Sequence, residues 1–365
     1  MADRTRIEWT DATWTPIRAR TIELQDDGSG RERIGWHCEH VSDGCRNCYA
    51  ERRNAWVGTG HAYRPANLRH TRRNRDNPGH VSLFMDEKML GQPQRWRAAR
   101  RIFTCSMTDL FARFVPDTWV DQVFAVMAES PWHQFQVLTK RSARMRAYMT
   151  DPVREASVRR AAEDLAARDF IRLLDDHRPW PLPHVMMMVS AETQREADER
   201  IPDLQATPAA SRGLSLEPLL GPVTIAEHGL HGAPNQIDWV ICGGESGPKA
   251  RPMHAEWARS LRDECRAAGV PYFFKQWGEW LPWTQFVDSG IRDEHERTRY
   301  QTAEYVDGQW RDIGRPDRWD SVDGDIDDEQ CVGRVGRTAA GRKLDGEEIM
   351  QCHSRAARPG RAEPA

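Results

Sequence analysis

The chain contains no apolar run approaching the roughly 18 residues that a helix needs to cross a bilayer, so no helical membrane span is expected. Its first residues, Met1 to Trp9, carry charges where a secretory leader holds its apolar stretch, which predicts a cytoplasmic protein. Cysteine is scarce. Eight in 365 residues are too few for a disulfide scaffold. No charge sign dominates either: the formal net charge of −3 gives no global basic signature for nucleic acid. Also missing are a glycine-rich phosphate loop, H-E-x-x-H, G-x-S-x-G and the deaminase H-x-E with a following P-C-x-x-C. Their absence removes the function classes that those motifs announce. What remains is long enough for one domain of about 250 residues with an appendage, or for two smaller domains. The fifteen tryptophans are read as packing residues.

Short apolar runs alternate with helical patterns between residues 100 and 278. The runs are Ile102–Ser106, Phe135–Thr139, Val185–Ser190, Leu214–Glu217, Trp239–Gly244 and Tyr272–Lys275. Several are apolar at successive positions, as in strands covered on both faces. Trp119, Val120, Val123, Phe124 and Met127 recur at helical spacing after Pro116. Trp257, Leu261 and Cys265 form a second stripe, ended by Gly269 and Pro271, and a longer helix is expected over 152–174. This alternation predicts an α/β protein with a parallel sheet and right-handed crossovers, either a barrel or a doubly wound sheet.

Six strand candidates end in polar or glycine-rich signatures: Ser106–Asp109, Thr139–Arg141, Ser190–Thr193, Ser215–Pro218, Gly243–Gly247 and Lys275–Gly278. Sites in parallel α/β folds sit at the carboxyl ends of strands, so six such ends in series predict a shared polar pocket. Two regions stand apart. Residues 51–101 are arginine-rich (Arg52, Arg53, Arg64, Arg69, Arg72, Arg73 and Arg75 among them), with Trp56, Tyr63 and Trp96 interleaved. From about 285 the chain turns polar, with Asp317 to Glu329 strongly acidic. Tyr300, Tyr305, Val306 and Trp310 are its strand anchors, and the composition after Cys331 reads as loop or disorder.

Three of the cysteines lie within eleven residues as C-x6-C-x2-C: Cys38, Cys45 and Cys48. In a reducing compartment such a cluster reads as a metal site. Three thiolates hold three irons of a [4Fe–4S] cube and leave the fourth open. They equally make a Cys3His zinc site with His37 or His40 as the fourth ligand. Spacing alone leaves the two open.

The succession of Ile7–Pro16, the Cys38–Ala50 cluster, Ser106–Phe111, Leu138–Arg141, Ser215–Pro222, Gly243–Gly247 and Phe273–Gly278 resembles a phage-associated family of uncharacterised proteins regarded as radical-SAM-like. The resemblance covers most of residues 5–280. It differs from the commonest radical SAM pattern in its six-residue first gap and in its aromatic, Tyr49, which follows the last cysteine. Residues 18–34, around Asp26-Asp27-Gly28-Ser29-Gly30, look like a hairpin inserted before the cluster loop.

The resemblance implies a partial or complete TIM-like barrel of the radical SAM type over 1–280, with a polar C-terminal extension over 281–365. It implies a [4Fe–4S] cluster on the three cysteines, S-adenosylmethionine (SAM) across the strand ends, and a flavodoxin- or ferredoxin-like electron donor. Its contacts to SAM would be Ser106 or Asp109 at the ammonium, Ser190, Glu192 and Glu217 at the ribose, and Gly243, Gly244 and Glu245 nearby. Lys140, Arg141 and Lys275 would bind an anionic substrate group or hold structural carboxylates. The arginine-rich stretch would track phosphates of a nucleic acid, or serve as a solvated face. The rival functions are a zinc-stabilised, non-catalytic nucleic-acid-binding or phage accessory protein, and a SAM-independent hydrolase or transferase.

Overall fold

The structure, a computed structural model, describes residues 5–69, 80–174, 179–230, 235–286, 300–314 and 329–352. A short strand β1 (Ala12–Trp14) leads into a hairpin of β2 (Ile17–Leu24) and β3 (Gly30–Gly35). The hairpin turns at Gly28, whose φ of +80° suits a residue without a Cβ. This is the hairpin expected over 18–34. The cysteine loop follows, then α1 (Tyr49–Val57) and β4 (Ser82–Met85), which pairs with the free side of β2.

Strands and helices then alternate: β5 (Arg101–Thr104), α2 (Asp117–Ala128), β6 (Gln134–Thr139), α3 (Ser142–Thr150), α4 (Arg154–Ala167), β7 (Val185–Ser190), α5 (Gln194–Gln205), β8 (Ser211–Leu216), β9 (Trp239–Gly243), α6 (Ala255–Ala268) and β10 (Tyr272–Gln276). All six residues of β7 are buried, which explains its unbroken apolar run. In α2, Val120, Val123, Phe124 and Met127 are all at most 1% exposed. Burial on that scale is worth roughly 1.5–3 kcal/mol per large side chain. The helix expected over 152–174 stops at Ala167, because Asp169 adopts φ +59°, a left-handed conformation that ends helices. α6 ends as expected at Gly269, with φ +65°.

Seven strands form one sheet in the order β1-β5-β6-β7-β8-β9-β10, with parallel ladders. Each new strand joins the same growing edge. That one-directional winding is the order found in (β/α) barrels; a doubly wound sheet would reverse partway. No ladder joins β1 to β10 among the described residues, so the pairing is that of an open sheet.

Two compact units divide within β7 and β8. The first holds the described residues up to 189 with 202–212, and the second holds 190–201 with the described residues from 213 to 352. The division therefore does not fall near residue 280. The later segment is fastened to β10: Phe274 N donates to Ile349 O (2.8 Å) and Trp277 Nε1 to Lys343 O (2.7 Å). The second unit also carries an antiparallel sheet of β11 (Trp280–Pro282), β12 (Thr302–Val306), β13 (Gln309–Gly314) and β14 (Cys331–Arg334), in the order β11-β14-β12-β13. Tyr305 and Trp310 do anchor strands, packing on Trp257 of α6. The loop reading after Cys331 is overturned for the described residues, since Cys331–Gly333 are buried in β14. Arg72, Arg73, Arg75 and the acidic stretch from Asp317 to 328 lie outside the described residues.

Candidate functional site

The cysteine loop belongs to the first unit. It leaves β3 at Gly35, where a Cβ would run into Asn54 and Thr59, so the backbone approaches α1 closely. Asn54, fully buried, is the loop's internal brace. Its Oδ1 accepts from Trp36 N (2.9 Å) and Thr59 N (3.2 Å), while Nδ2 donates to Thr59 Oγ1 and His61 O, both at 2.9 Å. A single 3-10 turn, Asp43–Cys45, carries the second cysteine, and Cys48 caps α1.

Several bonds tie this loop to the segment after β5. Tyr49 Oη donates to Ser106 O (2.5 Å), Tyr63 Oη to Met107 O (3.0 Å) and Thr108 Oγ1 to His37 O (2.5 Å). Asp109 is the anchor beneath. Its carboxylate accepts from Thr139 Oγ1 (2.7 Å), Phe111 N (2.9 Å), Lys140 N (3.1 Å) and Arg141 Nη1 (3.0 Å). Arg141 Nη2 then reaches Glu39 O at 3.1 Å, inside the cysteine loop. Asp109 is thus an organiser of the loop, its acceptor capacity already taken by its own chain.

Cys38 and Cys48 each feel a neighbouring cysteine. Burial, opposed in part by Arg141, pushes the Cys38 thiol up to about 12, with Asp109, Cys48 and Cys45 adding to the rise. Burial also raises Cys48, with Cys45 contributing. His37 is 2% exposed, and burial with the Arg141 charge lowers its imidazole to about 4, so it is neutral at pH 7. Its Nε2 has no hydrogen-bond partner. Among the described residues, no group of three or more His, Cys, Asp or Glu side chains stands together in metal-holding geometry. The donor chemistry nevertheless fits a thiophilic metal group. Neighbouring thiols, two of them raised by burial, are the groups a cation would convert to thiolates.

Cys105 is a fourth thiol at this place. It follows β5 with φ +56°, is 2% exposed, and is raised by burial and then by Asp109 and Cys38. The cysteine spacing in the sequence does not include it. Its position one residue before Ser106 was the available signal.

The remaining predicted residues lie in the second unit. Ser190 ends β7, and its carbonyl accepts from Arg200 Nη1 (2.7 Å). Glu192 is 0% exposed and pairs with Arg200 at 3.3 Å. Glu217 pairs with Lys275 at 2.8 Å and accepts from Ser215 Oγ at 3.4 Å. Glu245 takes Arg251 in a fork, 2.9 Å from Nε and 2.7 Å from Nη2. The glycines admit the protein's own groups: a Cβ on Gly243 would stand 2.7 Å from Glu217 Oε1, and one on Gly244 would strike the Trp277 carbonyl. Ser106 and Asp109 thus join the three cysteines in the first unit, whereas Ser190, Glu192, Glu217, Gly243, Gly244 and Glu245 gather in the second.

A family model described as "Protein of unknown function (DUF5131)" matches residues 33–353. The chain belongs to that family. The matched span begins within β3, so the family includes the cysteine loop and everything described after it. No curated protein and no solved structure matches the chain. Among the described residues, no helix is long and apolar enough to cross a membrane.

Proposed function

We propose that this family member is a radical SAM-type enzyme whose Cys38, Cys45 and Cys48 hold a [4Fe–4S] cluster. The observation that carries the reading is the gathering of three sulfurs on one short loop bound to the carboxyl end of β5, close enough that Cys45 and Cys48 raise Cys38 and Cys45 raises Cys48. The one-directional parallel winding of the sheet supports it further. When bound, such a cluster supplies an electron for reductive cleavage of SAM, the source of a hydrogen-abstracting radical. The chain's own part is positional. Asp109 fixes Arg141, Arg141 fixes the Glu39 carbonyl, and the Tyr49 and Tyr63 hydroxyls hold the loop against Ser106 and Met107. The Arg141 charge favours thiolate at Cys38. The buried Trp36, Tyr63 and Met107 pack against Cys38 and Cys48 and keep water from them. The substrate would donate the hydrogen atom, and a flavodoxin- or ferredoxin-like protein would supply the electron.

Purification without oxygen, followed by iron, sulfide and zinc analysis and then dithionite with SAM, tests the reading. About four irons per chain and release of 5′-deoxyadenosine are expected. One observation favours a second reading, a structural zinc held by the three cysteines and His37: the buried, neutral imidazole whose Nε2 lacks a partner. Stoichiometric zinc that is lost in His37→Ala, with no iron and no SAM cleavage, would replace the first reading by the second.

A further inference from the structure

We propose that the outward face of α1 binds single-stranded nucleic acid, which deepens the reading above by naming the substrate class presented to the adjoining cysteine loop. The helix starts at its cap, Cys48, so whatever lies along it lies beside the candidate centre. Tyr49, Arg52, Arg53 and Trp56 recur at i, i+3, i+4 and i+7, the spacing of a single helix face. All four are exposed, Tyr49 at 48% and Trp56 at 86%.

The face carries no carboxylate. Glu51, the only acid of α1, is engaged elsewhere: Oε2 stands 2.8 Å from His40 Nε2, and Oε1 accepts from Tyr63 N at 2.7 Å. Ala50 and Asn54 occupy the buried side. Around the helix, residues 46–69 contain five arginines against that one glutamate. Arg46, Arg64 and Arg69 are exposed, and Arg33 Nη2 donates to the Trp56 carbonyl at 3.5 Å. Among the described residues, Asp43 is exposed in the loop before the helix and Glu23 lies 3.7 Å from Arg33.

Of the three aromatics interleaved with the arginines, Tyr63 and Trp96 are buried at 1% and 7%. Trp56 is therefore the ring left to meet a ligand. An indole held in water beside guanidinium groups fits a base that stacks while its phosphates meet the arginines. Stacking on a side chain needs an unpaired base, which selects single strands over duplex. The Tyr49 ring is already fixed through its hydroxyl bond to Ser106 O, so that edge of the surface is preorganised.

The test is fluorescence anisotropy of a labelled 15-nucleotide oligothymidylate with the full chain, across a salt series. Trp56→Ala should weaken binding about tenfold or more, with Trp56→Phe retaining most of it. Arg53→Gln should lower the slope of log affinity against log salt by about 0.7, the value for one phosphate contact on a single strand. Unchanged melting temperatures would show that the variants fold, as the exposure of both side chains predicts. Equal binding by Trp56→Ala and the parent chain would overturn the proposal. So would equal affinity for a 15-base-pair duplex, or equal competition by poly-glutamate, which would mark a protein-facing anion surface. SAM cleavage without oligonucleotide binding removes this inference alone. Oligonucleotide binding by a zinc-loaded chain that cleaves no SAM removes only the reading it deepens.

Discussion

The strand ends of the two units use similar polar residues and leave them in opposite conditions. In the second unit each candidate carboxylate already has its cation: Glu192 has Arg200, Glu217 has Lys275 and Glu245 has Arg251. In the first unit Asp109 is equally satisfied by Arg141, but the thiols around it are not. Cys38 and Cys48 are held neutral chiefly by burial, with neighbouring cysteines adding to the rise, and His37 offers a nitrogen with no partner. A group matched within its own chain must give up a bond to receive a ligand. A group with unmet demand gains one. On the proposed reading, the contrast places binding capacity in the cysteine loop and leaves the second unit's acids chiefly to stability.

The largest expected effect falls on the unsatisfied side. Cys45→Ala should remove essentially all cluster iron and sulfide, whereas Cys242→Ala should retain them, because Cys242 lies fully buried in β9 of the second unit. Equal iron contents in the two variants, measured under anaerobic conditions, would erase the distinction. On the satisfied side, Glu192→Gln takes from Arg200, buried at 3% exposure, the carboxylate that faces it at 3.3 Å and leaves only the charge of Glu196 acting on it. Breaking a buried pair costs about 3–5 kcal/mol when the charge is left uncompensated, so with Glu196 near the loss should reach about 3 kcal/mol at most. Urea unfolding should show this as a lower midpoint at unchanged slope; an undiminished midpoint would mean that Glu192 is available to a ligand after all.

Much of this contrast was legible in the sequence, and the remainder was hidden for physical reasons. The six strands announced themselves because runs such as Val185–Val189 are buried on both faces. The cysteine trio was visible because its members are neighbours in the chain. Strand β1 escaped notice since Ala12–Trp14 is three residues long and gains its role only by pairing with Ile102–Thr104. The partners of Glu192 and Glu217 were illegible for another reason. Arg200 comes from the following helix and Lys275 from a strand 58 residues away, and neither spacing has a local signature. Cys105 stands apart from the trio in sequence because its nearness to Cys38 depends on the path of β5, and its place one residue before Ser106 is the sole local hint.

Acid should separate the units next. His133, in the first unit, is 1% exposed; its Nδ1 accepts from Arg100 N (3.1 Å) and its Nε2 donates to Pro93 O (2.9 Å). Burial, together with the Arg100 and His184 charges, lowers it from 6.5 to about 4. A proton on Nδ1 would cost the bond from Arg100. The unfolded chain binds that proton below about pH 6.5, so stability is complete above that value and is lost as pH falls towards 4. The loss amounts to about 3 kcal/mol at 1.36 kcal/mol per unit. In the second unit, burial opposes the charge of Asp345, but its bonds from Arg259 and Arg262 prevail and lower its pKa, so its contribution fades only below pH 3.8. Denaturation midpoints between pH 7 and 4 should therefore fall, and His133→Gln should flatten that fall. A parallel decline in parent and variant would place the acid sensitivity elsewhere.

The smallest effect is expected at Lys275, because both members of its pair with Glu217 keep contact with solvent, at 21% and 13% side-chain exposure. Solvent weakens the attraction and also softens the loss, so Lys275→Met should cost about 1 kcal/mol or less. Glu217 would keep the Ser215 hydroxyl and its place over Gly243. Combining Lys275→Met with Glu217→Gln should recover part of that cost, since no carboxylate then lacks its cation. The two roles open to Lys275 predict different cycles. A structural lysine couples to Glu217 in the unfolding free energy of the chain alone. A lysine that serves a ligand's anionic group shows no such coupling, and its loss appears only as a reduced rise in midpoint when SAM is added.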